Sequence, residues 1–399
     1  MKTRQEPGYL VRRIVDKIEG SSKDWQQGAS GNRSLKIQQE DFDRAGKTEL
    51  LEEARMLEQQ GLVRIKWLEY GNDIEKITYC LEQAGQFYAL LGLIPKRERL
   101  QNAQNKLHQW SEQAQARWLK AYYYDLEKTL EKGKQPEDLS KYGEPLFICL
   151  NAMGKLKEPV YQRVFSVAVL GGTKIFETEL RTKVISILRS YNLDTDDAMD
   201  DKEILSQVYL EEYAQELALK GNLKISLDGR DISLSDFCYG TVLNTETLRH
   251  VQIPSDQNIR KIITVENKAN YVSMPYEEGN LVVFSHGFFS PLECAFLRKL
   301  LSVLPDVKFY HTGDLDYGGI RIFRHIRAYI CPQVRPLHMD ADWYDRYLQY
   351  GYEIKPETLK KLEKMRGTEP LMERLIERIL EEKMGIEQEC FLIGQNNRR

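Results

Sequence analysis

In residues 1–95, two segments repeat their hydrophobic residues with the period of a helix. A third segment alternates hydrophobic and polar residues, as a strand does. The segment GYLVRRIVDKIEG places its apolar residues on one face of a helix. TELLEEARMLEQQG predicts a second helix, with Thr48 as its N-cap and Gly61 as its end. LVRIKWLEYGNDIEKITYCL alternates apolar and polar residues on both sides of YGND, which predicts a β-hairpin. Helices followed by a terminal hairpin are typical of a winged-helix-like domain, a kind of module that binds DNA or mediates protein contacts.

The next segment, residues 96–134, contains neither proline nor glycine before Gly133 and predicts one long helix. It carries nine Lys and Arg residues against five Asp and Glu residues. Two interpretations of this helical arm stay open. It is either a solvated spacer between domains or an arm that contacts DNA.

Residues 144–250 form a middle region in which charge is unevenly distributed. PVYQRVFSVAVLGGTKIFETELRTKVISILRSY predicts a helix, a break at Gly-Gly and a second helix. Lys and Arg outnumber Asp and Glu by seven to three in residues 155–191. We therefore expect a CAP-like DNA-binding region, with Arg163 and Lys174 as candidate contacts. Residues 194–216 hold nine acids and one lysine, a pattern more typical of a solvated loop and helix face than of a metal site.

Strands and helices alternate in residues 258–394, which predicts a domain with a parallel sheet. The predicted strands are KIITVE, NLVVFSHG, VKFYHTGDLD and VRPLHMD. In such sheets, functional groups lie at the carboxyl ends of the strands. Glu266, Asp314 and Asp316 fall at predicted carboxyl ends, and Asp340 ends the fourth predicted strand. The chain as a whole is thus expected to be a multidomain protein of mixed α/β and α+β class.

Carboxylates brought together repel one another, and a cation among them relieves the repulsion. Oxygen ligands with no nearby cysteine suit Mg²⁺ or Mn²⁺. Gly318 and Gly319 let the backbone approach a bulky polyanion, and Arg321 on the following helix is a candidate phosphate contact. This pattern favours phosphoryl chemistry. The alternative is that Asp314 and Asp316 only cap the helix that follows them.

Three other side chains lie close to these strand ends and have more than one interpretation. Lys268 follows Glu266 by two residues and is either a contact to the scissile phosphate or a solvated loop lysine. His286 and His311 are either ligands of a divalent ion or residues that orient their neighbours.

Composition limits which kinds of binding, metal site and cellular location the chain can have. The chain has 399 residues and a formal net charge of −3, so affinity for nucleic acid would have to come from local patches. Its six cysteines form no CxxC pair, which argues against a zinc site and a disulfide framework and favours a reducing cytoplasm. The N-terminus lacks the apolar region of a signal peptide, and no apolar run approaches the length of a membrane span.

The order of motifs, a glutamate on an early strand and DxD on a later one, resembles that of Toprim domains. A closer resemblance covers residues 144–394. ITVENKANYVSMP, VVFSHGFFS, YHTGDLDYGGIRIFRHIRAYICPQVRPLHMD and GIEQECFL are similar to the C-terminal domain of the JetD family, the nuclease subunits of bacterial Wadjet anti-plasmid systems. QRVFSVAVLGGTKIFE is similar to the segment that precedes that domain. The family's WGDID is TGDLD here, and Ser-His-Gly replaces its second glycine-rich turn; neither change removes an acid.

The resemblance implies a metal-dependent DNA endonuclease with four catalytic acids, Glu266, Asp314, Asp316 and Glu389. The same acids and Asp340 would be the metal ligands, with two Mg²⁺ or Mn²⁺ ions per active site. Glu387 lies in the same EQE motif, in which Glu389 is favoured. The implied domains are winged-helix-like (1–95), helical arm (96–134), middle region (144–250) and Toprim (258–394). The implied partners are double-stranded DNA of any sequence, an SMC-type ATPase complex and a second copy of the chain.

Two other functions share these parts. One is a DNA-cleaving subunit like topoisomerase VI A, which would need a tyrosine nucleophile. KAYYYDLE offers Tyr122, Tyr123 and Tyr124, and VYQRVFSV offers Tyr161 without an arginine–tyrosine motif. The other is a non-catalytic DNA-binding module on a Toprim scaffold, which the acids at every expected position disfavour.

Overall fold

The computed structural model describes residues 8–21 and 23–393. The chain divides into two compact units. One comprises Met1–Gln109 and Asp125–Ser140, and the other comprises Trp110–Tyr124 and Lys141–Arg399. Over the described residues, every helix is either too short or too polar to cross a membrane.

The first unit contains a small antiparallel sheet with the strand order β1-β3-β2. The elements of this part of the chain are α1 (Tyr9–Glu19), β1 (Asn32–Lys36), α2 (Gln39–Ala45), α3 (Lys47–Gln59), β2 (Val63–Leu68), β3 (Asp73–Cys80), α4 (Ala84–Leu90) and α5 (Lys96–Glu112), which belongs to the first unit up to Gln109. The predicted helix α1 is confirmed, and its apolar face is buried in the core of this unit. The predicted hairpin is confirmed as β2 and β3.

The predicted ends of α3 are half correct. Thr48 is not the N-cap, because the helix begins one residue earlier, after Gly46, and no side chain caps it. Gly61 does mark the end: its φ of 71° lies in the left-handed region, which favours glycine, and its N–H closes the last turn on the carbonyl of Glu58.

The single long helix predicted for residues 96–134 is wrong. The chain forms α5 up to Glu112 and a second helix, α6 (Arg117–Glu131). Trp110, in the last turn of α5, stacks on Phe147 with 4.2 Å between ring centroids. Tertiary packing of this kind overrides helix propensity, which by itself offers no reason for a break.

From α6 to residue 250 the chain is mainly helical, with short strands. The elements are α7 (Glu137–Lys141), α8 (Gly143–Met153), β4 (Val160–Tyr161), α9 (Gln162–Leu170), α10 (Arg181–Tyr191), α11 (Asp201–Ser206), β5 (Leu210–Glu211), β6 (Glu216–Gly221), β7 (Lys224–Leu227), β8 (Arg230–Ser233), β9 (Thr241–Asn244) and α12 (Thr245–His250). The predicted helix, Gly-Gly break and helix are confirmed as α9, Gly171-Gly172 and α10.

The C-terminal part supplies a six-stranded sheet with the order β13-β12-β10-β11-β6-β9. Its elements are β10 (Lys261–Val265), α13 (Lys268–Ser273), β11 (Asn280–Phe284), α14 (Pro291–Ser302), β12 (Lys308–Thr312), α15 (Tyr317–Tyr329), β13 (Arg335–Pro336), α16 (Ala341–Tyr347), β14 (Tyr352–Glu353), α17 (Pro356–Glu363), α18 (Glu373–Glu382) and β15 (Met384–Gly385). Strands β10, β11, β12 and β13 are parallel, as predicted. Strands β6 and β9 extend the sheet antiparallel, so it is mixed overall.

The fourth predicted strand is much shorter than its apolar pattern suggests. Strand β13 ends at Pro336, and His338 has a φ of 59°, which turns the chain out of the extended conformation. Asp340 is therefore not at a strand end. Its carboxylate caps α16 by accepting a hydrogen bond from the N–H of Trp343 at 2.9 Å.

Candidate active site

The carboxyl ends of β10 and β12 bring two of the predicted acids together. Glu266 follows β10 directly, and its N–H donates to the carbonyl of Thr312 at 3.0 Å. The N–H of Asp314, two residues beyond β12, donates to Oε2 of Glu266 at 3.0 Å. Because the two strands are adjacent and parallel, their ends place the half-buried Glu266 against the DxD loop.

Glycines make this close approach possible. A Cβ at Gly313 would lie 2.2 Å from Oε2 of Glu266, and one at Gly319 would lie 2.1 Å from the carbonyl oxygen of Asp314. Both distances are far below van der Waals contact. At Gly318 the nearest atom, an oxygen of Asp316, is 3.3 Å away. Gly319 thus lets α15 pack directly on the loop that carries Asp314.

The two aspartates of DxD have different partners. Asp316 caps α15: Oδ1 accepts from the N–H of Gly319 at 2.8 Å, and Oδ2 accepts from the hydroxyl of Tyr352 at 2.7 Å. Asp314 does not cap this helix, and its Oδ1 accepts from the N–H of Gln388 at 2.7 Å. The capping alternative is therefore confirmed for Asp316 alone.

The segment after β15 carries two more acids to the same place. A two-residue bridge joins Leu315 and Ile386 through backbone hydrogen bonds of 2.8 and 3.2 Å. As a result, Asp314, Glu387 and Glu389 each place a carboxylate oxygen within 4.8 Å of the others. We call these three residues the acidic cluster.

The electrostatics of the acidic cluster fit a divalent cation. Burial, together with the charges of Asp316, Glu387 and Glu389, raises the pKa of Asp314 to about 8. Burial and the charge of Asp314 raise the pKa of Glu266 well above its usual range. Carboxyls in this state resist sharing a small volume as anions, and a cation among their oxygens removes the conflict. Oxygen donors of this kind suit Mg²⁺ or Mn²⁺.

His311 is buried beside these acids but is not part of the acidic cluster. The hydroxyl of Thr264 donates to the carbonyl of Tyr310 and so accepts from Nδ1 of His311, at 2.9 Å. Burial lowers the pKa of His311 to about 3, so the ring is neutral and Nε2 is an acceptor. This buried Nε2 has no protein partner among the described residues, and a Cβ at Gly313 would lie 3.1 Å from it.

His286 is engaged elsewhere. Its Nε2 lies 3.0 Å from Oε1 of Glu293, the residue that completes the capping box of α14 with Ser290. Its backbone φ of 48° is left-handed. This histidine therefore belongs to the start of α14.

Arg321, predicted to contact phosphate, pairs with an acid of the middle region. Asp196 accepts from both Nε and Nη2 of its guanidinium, and the neighbouring Asp197 accepts from the hydroxyl of Tyr317 at 2.6 Å. Lys361 lies 3.0 Å from the same carboxylate of Asp197. The prediction that residues 194–216 form a solvated loop is wrong for Asp196, whose side chain is only 14% exposed.

The other predicted DNA contacts are exposed. Lys268 is the first residue of α13, with its ammonium 5.9 Å from the ring centroid of Phe284. Arg163 lies on α9, and Lys174 lies in the break between α9 and α10. Asp340 is exposed where it caps α16 and is not among the residues that form the acidic cluster.

The tyrosines considered as nucleophiles differ in exposure. Tyr122 and Tyr123 are buried, and the hydroxyl of Tyr123 accepts from Asn151 at 3.0 Å. Tyr124 and Tyr161 are 57% and 42% exposed. Tyr352 does touch an acid of the site, and no sequence pattern marks it, because it lies 36 residues from Asp316 on a strand of two residues.

Comparison with known proteins agrees with these features. Residues 222–397 match the sequence model of the family described as Wadjet protein JetD, C-terminal. The chain is 28% identical over 373 residues to the Wadjet protein JetD of Bacillus cereus (strain Q1), a match that covers 90% of this chain and 89% of that protein. The matched part contains Glu266, the DxD loop and the acidic cluster, so the whole site lies in the part of this chain that is similar to the C-terminal domain of Wadjet protein JetD.

Proposed function

We propose that this chain is a metal-dependent DNA endonuclease that acts within a Wadjet system. The observation that carries the proposal is the acidic cluster beside Glu266 at the carboxyl ends of parallel strands. The Wadjet setting rests on the similarity to JetD.

The acidic cluster would hold the divalent ion, and Glu266 would keep Asp314 in place through its backbone N–H. A bound Mg²⁺ or Mn²⁺ supplies a water of lowered pKa and positive charge for the oxygens of the phosphate. Asp316 and Glu266 both have carboxylate oxygens engaged in hydrogen bonds. Both oxygens of Asp316 accept hydrogen bonds, so this residue would join a second ion by exchanging one of them for a metal bond.

The finer architecture and the DNA contacts belong to the same proposal. Residues 258–394 would form a Toprim domain, 144–250 a CAP-like DNA-binding region, and 1–95 a winged-helix-like domain. The exposed side chains of Arg163, Lys174 and Lys268 would contact phosphates of any sequence. Arg321 is the weakest of the four candidates because it would first have to leave Asp196. By the same resemblance, the chain would act as a homodimer with an SMC-type ATPase complex.

The test is cleavage of supercoiled plasmid with Mg²⁺ or Mn²⁺, with and without the partner complex. Asp314→Asn and Glu389→Gln should abolish cleavage, and excess EDTA should do the same to the wild type. Asp306→Asn is the matched control, because this exposed aspartate precedes β12 at the opposite end of the strand from Asp314. Undiminished cleavage by Asp314→Asn, or by wild type in EDTA, would refute the proposal.

A further inference from the structure

Gln388 lies between the two glutamates of the acidic cluster and is only 1% exposed. Its side-chain Oε1 accepts from the N–H of Asn267 at 2.9 Å, and its Nε2 donates to the hydroxyl of Thr312 at 2.9 Å. Its backbone N–H donates to Asp314 at 2.7 Å, and its carbonyl accepts from the side-chain amide of Asn270 at 2.9 Å. Both main-chain groups and both side-chain polar atoms of one residue are therefore bonded.

These partners belong to the segments that carry the other acids. Asn267 follows Glu266, and Thr312 ends β12 two residues before Asp314. A single buried amide thus connects the end of β10, the end of β12 and the segment of Glu387 and Glu389. A buried amide with fixed partners on three segments leaves little freedom for the carboxylates on either side of it.

The hydrogen bonds of Gln388 act against the mutual repulsion of the carboxylates in the site. Oxygens of Glu387, Glu389 and Asp314 lie within 4.8 Å of one another, so the anionic glutamates are repelled from the DxD loop. Without the hydrogen bonds of Gln388, the segment that carries Glu387 and Glu389 would relieve that repulsion by moving away from Asp314. Since Leu315 and Ile386 pair through their backbones, the segment would stay docked while its carboxylates lost their common position.

We propose that Gln388 is a positioning residue, which holds Glu387 and Glu389 at the distance from Asp314 that binds a divalent cation. The inference rests on the proposed metal centre and goes beyond it. It assigns the affinity of that centre in part to an uncharged residue that does not ligate the ion. Glutamate at this position would lose the donor to Thr312 and add another negative charge.

The experiment measures Mn²⁺ binding to the full-length protein by calorimetry, and the Tm in EDTA. Gln388→Met keeps the length of the side chain and both backbone hydrogen bonds but removes the amide. We expect Mn²⁺ affinity to fall about tenfold or more, as for other residues that orient metal ligands. Thr312→Val removes only the acceptor of Nε2 and should lower the affinity less; it also tests the proposal if Gln388→Met does not fold.

Two comparisons separate positioning from a structural role. Gln215→Met is the matched control, because Gln215 is also an amide in a hydrogen-bonded network, with Glu211 and Ser290. It should lower the Tm and leave Mn²⁺ affinity unchanged. In a Glu387→Gln background, which keeps Asp314 and Glu389, Gln388→Met should lower the affinity by a smaller factor than in the wild type, because part of its action passes through Glu387.

The outcomes distinguish this inference from the proposed function. Mn²⁺ binding that depends on Asp314 but is the same in Gln388→Met and wild type overturns the positioning role alone. If Gln388→Met lowers the Mn²⁺ affinity by the same factor in the wild type and in the Glu387→Gln background, the positioning role is overturned too. Mn²⁺ binding that is absent, or that does not depend on Asp314, overturns the metal centre itself.

Discussion

At the scale of single residues, the site is governed by carboxyl groups whose surroundings oppose their ionisation. Asp314 is the clearest case, with a pKa raised to about 8 by burial and by neighbouring acids. In the metal-free protein, these groups lower the stability of the fold when they are ionised. A divalent ion would reverse the effect by binding the ionised form, so stability and metal binding report on the same residues.

We expect Asp314→Asn to stabilise the metal-free protein at pH 8, because asparagine removes the buried charge and keeps an oxygen that can accept from the N–H of Gln388. The folded-state pKa is raised, so the native protein binds protons more tightly than the unfolded chain between about pH 4 and pH 8. Stability conferred by the protonated carboxyl is thus present at low pH and is lost as the pH rises through this window. The gain from Asn should shrink towards pH 5.

The measurement is Tm in EDTA across this pH range, repeated with Mn²⁺. Mn²⁺ should raise the Tm of the wild type at pH 8 and leave Asp314→Asn unchanged. Asp306→Asn should behave as wild type in both conditions. A pH profile of Asp314→Asn parallel to that of the wild type would contradict the assignment.

Tyr352 allows a residue-scale test of the tyrosine mechanism. Burial and the charge of Asp316 raise the pKa of Tyr352 above its usual range, which makes its phenol a poor nucleophile. We expect a reaction denatured in progress to show no protein attached to labelled DNA. The variants Tyr124→Phe, Tyr161→Phe and Tyr352→Phe should each retain cleavage. A DNA adduct in wild type, together with one inactive Phe variant, would favour the topoisomerase-like mechanism.

At the scale of elements, the site depends on how closely α15 approaches the end of β12. The helix begins with Asp316 as its cap, and its second glycine lies against the backbone of Asp314. Close contact between a helix and a loop positions the loop more tightly than either element could by itself. Gly318 and Gly319 lie in the same turn, so alanine variants at these two positions can be compared directly.

We expect Gly319→Ala to destabilise the protein by roughly 1–3 kcal/mol, because its Cβ would overlap the carbonyl oxygen of Asp314. The shifted loop should also weaken Mn²⁺ binding. Gly318→Ala is the matched control, since its Cβ would meet only a side-chain oxygen of Asp316 at 3.3 Å and no backbone atom, and alanine favours the helix by up to about 1 kcal/mol. Denaturant unfolding of both variants, with and without Mn²⁺, is the measurement. Equal stability of the two would disprove the close-packing argument.

At the scale of the whole molecule, charge is sorted by region while the net charge is only −3. The excess of Lys and Arg in residues 155–191 lies in the same unit as the acidic cluster. Two aspartates of the acidic stretch at residues 194–216 are paired: Asp196 with Arg321, and Asp197 with Lys361. Basic side chains of α9 and the break after it therefore remain exposed and available to a polyanion.

DNA binding should be independent of sequence and should weaken steeply with salt, since phosphate contacts release counterions. Arg163→Glu and Lys174→Glu should each lower affinity for plasmid DNA at low salt and reduce the slope of log K against log salt. Lys308→Glu, an equal charge change on an exposed residue at the amino end of β12, should have little effect. Unchanged affinity of both middle-region variants would exclude that surface.

The sequence by itself determined most of the elements, but not the ends of the fourth predicted strand or the division of residues 96–134 into two helices. Buried β-branched runs and glycine-rich turns act locally, so β10, β11 and β12 lie where their patterns predict them. Glu266 and Asp314 could be foreseen together because parallel strands end at the same edge of a sheet. The break between α5 and α6 could not, because residues 113–116, which read QAQA, all favour a helix.

Only the tertiary structure decided which partners complete the site. Gln388, Tyr352 and Glu387 reach the DxD loop from segments 36 to 76 residues away, through a two-residue bridge and a two-residue strand. Strands this short leave no period in the sequence, so no pattern marks them. The same holds for Arg321, whose pattern indicated a free phosphate contact and which the fold pairs with Asp196. Local propensity and period place elements, whereas hydrogen bonds and ion pairs between distant segments determine which of their side chains remain free to act.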